Sequence, residues 1–599
     1  MKNTIKYTLI TVLTLFCYTY AFGQQKPKAK PATKTAAKAP VKKAAPAIDK
    51  NVGDLAKSLT DTSKTGGQAK PMPLPQDNTS LSEEIIVTTA YKPVLADAVK
   101  IRRNPDLEDH EPFKAPLSYK IIDKTLQQDT SIRQFSAIKL PAEQPAELDN
   151  NFVKLGAGNL KTTFGELYLN NGTDPALQAG LYIKHLAQSG SLAQQSYNKE
   201  EAGIFAKSIG DVTSLSGRIN YQYSGNYFYG YDELNPPSVL QLNKQHFSTL
   251  SGETELAKNY KDVDNQFIYA VKLGGSAFSN AYQATENDLH LSGYVNQTVS
   301  HFYAGLSGSV DFTSAKDSLY ALTNNIARAN PYLKFEGDNY KVDAGVNIVD
   351  EFGSFSRFSL YPAARLELQI VPKFVRLFAE ASGDVDKASL NSFSEANPFL
   401  GQNILIHNSE DVLDLSVGLK GMIAPGFGFK ASVFRNTVKD MPLFVSNFDF
   451  TKGYNRFNVV YDNGNSRISG FNGELDYKPS DDFDIFGRAE IKDYQMATEV
   501  KAWNLPSLKV TAGTVIHISK LISVNGSLVF NGNRYDRLYN GQTVKLNSYA
   551  DLSGGIEYKA GSKISIFVQA SNLLSNNYQG WLYYPNYGFN IFGGAVYQF

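Results

Sequence analysis

The chain has 599 residues, and its 59 Lys and Arg nearly balance its 58 Asp and Glu, for a formal net charge of +1. This balance argues against a nucleic-acid-binding protein, since such domains carry a strong positive charge, and the one basic stretch contains no aromatic residue. The 35 Tyr, 36 Phe and 46 Gly favour β-structure. No apolar run after the first two dozen residues approaches 18, which excludes membrane-spanning helices, whereas membrane strands alternate and escape such a search.

Residues 1–23 are predicted to form a signal peptide. Lys2 and Lys6 precede the apolar stretch Tyr7–Tyr20, and Ala21 and Gly23 supply small residues for cleavage after Gly23. The only cysteine, Cys17, lies in this segment, so the mature chain would have no disulfide and no thiol ligand. A lipoprotein anchored through Cys17 is the alternative, which the preceding Phe disfavours.

Residues 24–80 are rich in Lys, Pro and Ala and are predicted to form a disordered basic arm in the periplasm. Such a composition cannot bury enough apolar surface to offset the chain entropy lost on folding. Two roles remain open for this arm. It is either a solvated linker or a segment that touches peptidoglycan or anionic lipid.

From residue 151 to 599, apolar and polar residues alternate in segment after segment. One segment alternates Leu415, Val417 and Leu419 with Ser416, Gly418 and Lys420, and four others show the same period of two. A soluble sandwich also alternates, but a membrane barrel presents its apolar face to lipid. Short turn signals occur ten times, roughly 34 to 55 residues apart. They lie at Gly172–Pro175, Gly210-Asp211, 261–264, 298–301, Gly337–Asn339, Val371–Lys373, Ala424–Gly426, Pro479–Asp482, Ser519-Lys520 and Ala560–Ser562.

Ten short turns join eleven hairpins when both ends of the domain lie on the short-turn side. We therefore predict an all-β fold, a transmembrane outer-membrane β-barrel of about 22 antiparallel strands. The longer connections, Asn226–Asn243, Asp384–Ser409 and Phe444–Asn458, should face the cell exterior. The first of them carries a candidate ligand-contact set, Tyr227, Phe228, Tyr229 and Tyr231. The same rings also suit the upper aromatic girdle of a barrel, which is the interpretation we favour.

The end of the chain carries a more specific signal. Phe589, Ile591, Tyr597 and Phe599 all fall on one face of an alternating last strand, and the chain ends on Phe599. Tyr597 and Phe599 are therefore candidate assembly-signal residues, to be read by the outer-membrane assembly machinery.

Several stretches resemble the TonB-dependent receptor family. Asn572–Tyr578 with Tyr584-Pro585 and 593–599 resemble its two closing strands, and Asp462–Asn465 followed by Gly473–Pro479 resembles its late hairpin. The resemblance is good over Ser356–Phe599 and rests mainly on pattern over 151–355. It implies an outer-membrane barrel that takes up a ligand through a lumen filled by an N-terminal plug.

Residues 81–150 are about half the length that such a plug needs, so the plug is expected to be a truncated remnant. Pro116–Asp123 resembles a plug strand. The resemblance also implies a TonB-box-like segment that an inner-membrane energy transducer would bind. Its candidate residues are Glu84, Ile85, Ile86, Val87 and Thr88, which could equally form a strand of the plug remnant.

Signatures of catalysis or metal binding are absent from the sequence. The seven His show no metal-ligand spacing, and there is no HExxH, GxSxG, Walker loop or dinucleotide fingerprint. We expect no enzyme activity, no cofactor and no metal site. The predicted function is transport of a nutrient or chelate across the outer membrane. The alternative is a plug-poor barrel that acts as a scaffold, an assembly partner or a partner-gated pore. The expected partners are the lipid bilayer, the assembly machinery and, where transport is energised, the transducer, but not nucleic acid.

Overall fold

The structure is a computed structural model that describes residues 151–599 apart from 173, 175, 242, 259–266, 300 and 301. The predicted signal peptide, basic arm and plug remnant, with the candidate coupling segment Glu84–Thr88, lie outside the described residues. Within the described part, no helix is long and apolar enough to cross a membrane.

Twenty-six strands and one short helix make up the described part of the chain. The strands of the first half are β1 (Phe152–Gly158), β2 (Thr163–Asn170), β3 (Leu177–Ser189), β4 (Ser196–Ile209), β5 (Thr213–Tyr227), β6 (Lys244–Lys258), β7 (Phe267–Asn280), β8 (Thr285–Val299), β9 (Phe302–Lys316), β10 (Ala321–Gly337), β11 (Tyr340–Gly353), β12 (Arg357–Val371) and β13 (Val375–Asp386). After helix α1 (Leu390–Ala396) come β14 (Ser409–Ala424), β15 (Phe427–Ser446), β16 (Phe457–Ser480), β17 (Phe483–Gln495), β18 (Leu508–His517), β19 (Ile522–Asn531), β20 (Arg534–Arg537), β21 (Thr543–Leu546), β22 (Tyr549–Lys559), β23 (Ile564–Ser571), β24 (Gln579–Trp581), β25 (Tyr584–Pro585) and β26 (Asn590–Gln598).

Twenty-two of these strands form one closed antiparallel barrel, as the sequence predicts. Each barrel strand pairs with the next barrel strand along the chain, and β1 pairs with β26 from Phe152↔Gln598 to Gly158↔Phe592. Closure leaves no unpaired edge, which a sheet in lipid requires because no water is present to satisfy its backbone groups. The pairs β20–β21 and β24–β25 lie outside this ring.

The ten predicted short turns each fall at a junction between two consecutive barrel strands, although 172–175, 261–264 and 298–301 include residues outside the described set. At the β14–β15 junction, Gly426 has a φ of +74°. A Cβ atom there would lie 2.2 Å from the carbonyl oxygen of Lys478. Only glycine combines this backbone conformation with such a close approach.

The outward face of the barrel is apolar, and the inward face is polar and charged. Val417 is 48% exposed on the outer surface, and Leu415 and Leu419 are exposed beside it. Lys420, on the opposite face of the same strand, donates to Glu367 at 2.6 Å inside the lumen. Both ends of the barrel domain lie with the short turns, which marks that end as periplasmic and the longer connections as extracellular.

Candidate functional site

Four long connections fold together over the extracellular mouth, and we call them the loop cap. They follow β5, β13, β15 and β23, and they comprise residues 228–243 (apart from 242), 387–408, 447–456 and 572–589. Their buried side chains and those of adjoining strand ends form one hydrophobic core of 23 residues. These four connections are therefore packed on one another, whereas loops that projected from the mouth would be exposed.

The 387–408 connection is the central member of the loop cap. Ser389 caps helix α1, since its hydroxyl accepts from the backbone N–H of Ser392 at 2.9 Å. The carboxylate of Glu286, on the β8 wall, accepts from the backbone N–H of Leu390 at 2.7 Å. A lumen-facing carboxylate thus holds the start of the helix inside the rim.

This connection contacts strands that are far apart in the barrel. The carbonyl of Leu400 accepts from Gln245 on β6 at 3.2 Å, and Leu400 also forms a β-bridge with Phe457 at the start of β16. In a ring of 22 strands, β6 and β16 are ten strands apart and lie nearly opposite. A third strand joins through Asn324, at the extracellular side of β10, which donates to the carbonyl of Ala388 at 3.1 Å. The connection therefore crosses the mouth.

Aromatic rings form the centre of the loop cap. Phe228 stacks on Tyr454 with ring centroids 4.8 Å apart, and Tyr584 meets Phe399 at 3.5 Å and Tyr229 at 5.1 Å. Trp581 adds edge contacts to Phe444 and Phe457. Burial also raises the pKa of the Tyr229 hydroxyl well above its usual value. A packed interior of this kind resists opening, because each aromatic pair contributes about 0.5–1.5 kcal/mol beyond its buried area.

The predicted ligand-contact set is divided by this packing. Phe228 is 1% exposed and Tyr229 is 2% exposed, whereas Tyr227 and Tyr231 are partly exposed. The girdle interpretation is wrong for Phe228 and Tyr229, because both rings pack against other loops and do not face lipid. Ligand contact stays a prediction for all four residues, and for Phe228 and Tyr229 it requires the loop cap to open.

A cluster of charged residues connects the loop cap to the inner wall. Arg328 on β10 pairs with Asp311 at 3.0 Å and Asp384 at 3.1 Å, and it donates to the carbonyl of Val385 at 2.8 Å. Lys387, the first residue of the connection, pairs with Asp288 on β8 and lies 3.7 Å from Asp311. These pairs are largely buried, so the loss of one partner would leave a charge without compensation.

A surface groove lies beside the loop cap, and no sequence pattern indicated it. It has a volume of about 390 Å³ and lies between the ends of β15 and β16 and the β20–β21 ribbon. Arg537 contributes a charge to its wall and pairs with Glu499 at 2.8 Å. Its lining is Val445, Ser446, Asn447, Asn458, Val459, Val460, Arg537, Leu538, Tyr539 and Gly541. The groove brings the ends of the paired strands β15 and β16 together with residues 537–541, about 80 residues further along the chain, which explains why no local motif marked it.

One buried carboxylate anchors this ribbon to the barrel. Asp536 on β20 accepts from the hydroxyl of Ser446 at 2.8 Å and from its backbone N–H at 3.1 Å. Burial raises the pKa of Asp536 to about 6, against the lowering effect of these hydrogen bonds. We therefore expect the attachment of the ribbon to depend on pH in a mildly acidic range.

The terminal aromatics lie where the sequence places them. Tyr597 is exposed on the outward face, and its residue pairs with Val153 on β1 and Ile564 on β23. Phe599 follows on the same face, with its ring 5.9 Å from that of Tyr597. Their role as an assembly signal remains a prediction. Among the described residues, no group of three or more His, Cys, Asp or Glu is arranged to hold a metal ion.

Comparison with known proteins identifies the fold. No protein-family model matches the sequence, and no curated protein matches it. Solved structures do match. The ferric-catecholate import receptor Fiu from E. coli K12 aligns with a TM-score of 0.58 at 10% identity, over 75% of this chain and 82% of that one.

Two further receptors align with similar scores. The siderophore receptor PiuA from Acinetobacter baumannii gives a TM-score of 0.56 at 11% identity, over 76% of this chain and 82% of that one. The ferric yersiniabactin uptake receptor FyuA from Yersinia pestis gives 0.56 at 10% identity, over 76% and 81%. Residues 151–599 therefore have the barrel fold of TonB-dependent outer-membrane receptors.

Proposed function

We propose that this protein transports a nutrient or metal chelate inward across the outer membrane, with the loop cap as its extracellular gate. The observation that carries the proposal is the 22-stranded barrel, which superposes on iron-chelate receptors over three quarters of the chain. A barrel of this size encloses a lumen wide enough for a chelate, and its charged inner wall suits a polar cargo.

Gating follows from the position of the 387–408 connection. A ligand arriving from outside meets the hydrophobic core of the loop cap before it meets the lumen. Binding must therefore favour an open arrangement by more than the contacts that closure provides. The groove lined by Arg537 is accessible without any opening and is the candidate first docking position.

A disulfide lock tests the gate. The predicted mature chain has no cysteine, so Leu400→Cys with Phe457→Cys adds the only pair, at β-bridge partners close enough for a disulfide. Cells that express each variant are given ⁵⁵Fe-labelled ferric catecholate. We expect uptake to stop in the oxidised double variant and to return with reductant, while both single-cysteine variants transport under either condition. Unchanged uptake by the oxidised double variant would refute gating at this connection.

Energised uptake requires an inner-membrane transducer to bind the protein on the periplasmic side. We propose that the transducer binds Glu84–Thr88 by strand addition, which uses main-chain hydrogen bonds. Proline cannot donate to such a ladder, so Ile86→Pro should abolish uptake without lowering the amount of folded barrel. Ala37→Pro, in the basic arm, is the matched control and should transport normally.

Cross-linking from position 86 separates the two roles that the sequence leaves open. Cross-links to the inner-membrane transducer support coupling. Cross-links confined to lumen positions such as Asp414 and Ser416 would instead make Glu84–Thr88 part of a plug remnant.

A second candidate function is a scaffold or partner-gated pore. It is favoured by the tight packing of the loop cap, whose buried Phe228 and Tyr229 offer no surface to a small ligand. In that case, ferric catecholate uptake would not depend on the protein, and the disulfide lock would change partner capture and not transport.

A further inference from the structure

Two arginines lie on the outward face of the barrel near the middle of the long strands β15 and β16. Arg435 pairs across the sheet with Leu415 and Ser469, and Arg467 pairs with Thr437. Since Leu415 is exposed on the outward face, Arg435 shares that face, and Arg467 lies two residues from Ser469 on the same face. Both arginines are exposed. This diagonal arrangement places the two residues about 7–8 Å apart, with their Cβ atoms somewhat closer.

The height of the two arginines above the periplasmic end of the barrel can be estimated along the same strands. Phe427, Tyr477 and Phe483 form an aromatic cluster there, with ring centroids 5.6 and 5.8 Å apart. Arg435 follows Phe427 by eight residues and Arg467 precedes Tyr477 by ten. With a rise of about 3.3 Å per residue and a tilt of about 40°, the arginines lie about 20 and 25 Å above this cluster. The apolar band of such barrels is about 25 Å tall. Arg467 therefore lies at the upper edge of this band, and Arg435 lies about 5 Å below the edge, from where its long side chain can extend to the headgroups of the outer leaflet.

The surface immediately below them is apolar. Val433, Phe471 and Ile491 form one cross-strand row, and all three side chains are exposed, Val433 by 60%. A lipid whose acyl chains lie on this row would present its headgroup to Arg435 and Arg467.

Neither arginine has an ion pair or a side-chain hydrogen bond with a residue that the structure describes. A carboxylate also lies on this face, since Asp493 pairs with Ser469, but it forms no ion pair with either arginine. A guanidinium at a lipid boundary is best satisfied by an anion with several acceptor oxygens. Phosphate fits best, because arginine binds it through two parallel N–H···O hydrogen bonds.

We propose that Arg435 and Arg467 together bind a phosphate group on the headgroup of an outer-leaflet lipid. The site fixes one phosphorylated lipid to the β15–β16 face of the barrel. It is independent of the transport proposal, because it faces away from the lumen.

The full-length protein is tested in nanodiscs of phosphatidylcholine that contain diphosphorylated lipid A. The lipid retained per barrel after detergent release is counted by native mass spectrometry. We expect wild type to retain about one lipid A molecule and Arg435→Gln with Arg467→Gln to retain about tenfold less, since charge-assisted hydrogen bonds are lost. Lys244→Gln with Lys316→Gln is the matched control. It removes two outward-facing charges on other strands and should retain lipid as wild type does.

Three outcomes would overturn the proposal. The first is equal retention by the double arginine variant, with heat-modifiable gel mobility confirming that it is folded. The second is equal retention of lipid A whose phosphates have been removed. The third is displacement of lipid A by 10 mM inorganic phosphate, which would make the site one for the free ion. Asp493→Asn should raise retention, because it removes a negative charge from the same face.

Discussion

Neighbouring residues of a barrel strand face different environments, with lipid on one side of the sheet and the lumen on the other. Val417 faces lipid, whereas Ser416 faces the lumen and pairs across the sheet with Glu380. The alternation of residue types in the sequence was sufficient to assign both faces, because the period of a strand is two and closure permits no other arrangement.

Arginine substitution at these two positions should give opposite results. Val417→Arg places a charge near the middle of the bilayer at a cost of about 2–4 kcal/mol and should prevent assembly. Ser416→Arg places the same charge in an aqueous lumen beside Glu380 and should be tolerated. The measurement is the fraction of protein with heat-modifiable gel mobility. Equal tolerance at both positions would contradict the assignment of faces.

Asp536 should make the β20–β21 ribbon sensitive to pH. Its pKa of about 6 in the folded protein exceeds the ordinary value near 3.9, so the folded state binds a proton more readily than the unfolded state. The attachment is then strongest below about pH 4 and weakens as the pH rises through 6.

Limited proteolysis of 532–548 tests this prediction. Cleavage should be about tenfold slower at pH 5 than at pH 7.5, since one pKa unit corresponds to a factor of ten. Asp536→Asn keeps the acceptor oxygen but cannot ionise, so it should remove the pH dependence. A pH dependence that persists in this variant would assign it to another group.

At the scale of elements, the last strand illustrates how closure depends on the end of the chain. Strand β26 pairs with β1 on one side and with β23 on the other, so it completes the ring. Its inward residues Phe592 and Val596 are buried, and its outward residues Ile591 and Tyr597 are exposed.

Deletion of Tyr597–Phe599 should remove most of the protein from the outer membrane while export continues. The deletion removes the pairs of Tyr597 and Gln598 with β1 and takes away the terminal aromatic. Cell fractionation would then show the chain in the periplasm or degraded. Phe599→Tyr, which keeps an aromatic end, should assemble normally. A normal outer-membrane level of the truncated chain would show that the terminus is dispensable.

At the scale of the whole molecule, the loop cap should close the barrel by itself. The 387–408 connection crosses the mouth between β6 and β16 whatever occupies the periplasmic side of the lumen. Purified protein in a planar bilayer should pass no large steady current, and a variant lacking residues 81–150 should also remain closed. A large steady current through this deletion variant would show that the loop cap does not seal the mouth.

The sequence by itself determined the barrel. Alternation, ten short turn signals and an aromatic last strand are local patterns. They specify one architecture of 22 strands, because a sheet in lipid must have an apolar outer face and must close so that every backbone group is paired. The loop boundaries also fell within a few residues of the strand ends, because turn residues act locally.

Only the tertiary structure decided what the long connections do. Phe228 and Tyr229 look like girdle or ligand residues in sequence, yet they are buried against Tyr454 and Tyr584, which lie more than 200 residues further along the chain. The ion pairs of Arg328 likewise depend on which strands meet at the mouth. A loop that packs on other loops has no period to reveal its partners. Its burial is therefore fixed by the geometry of the closed ring, which no local pattern contains.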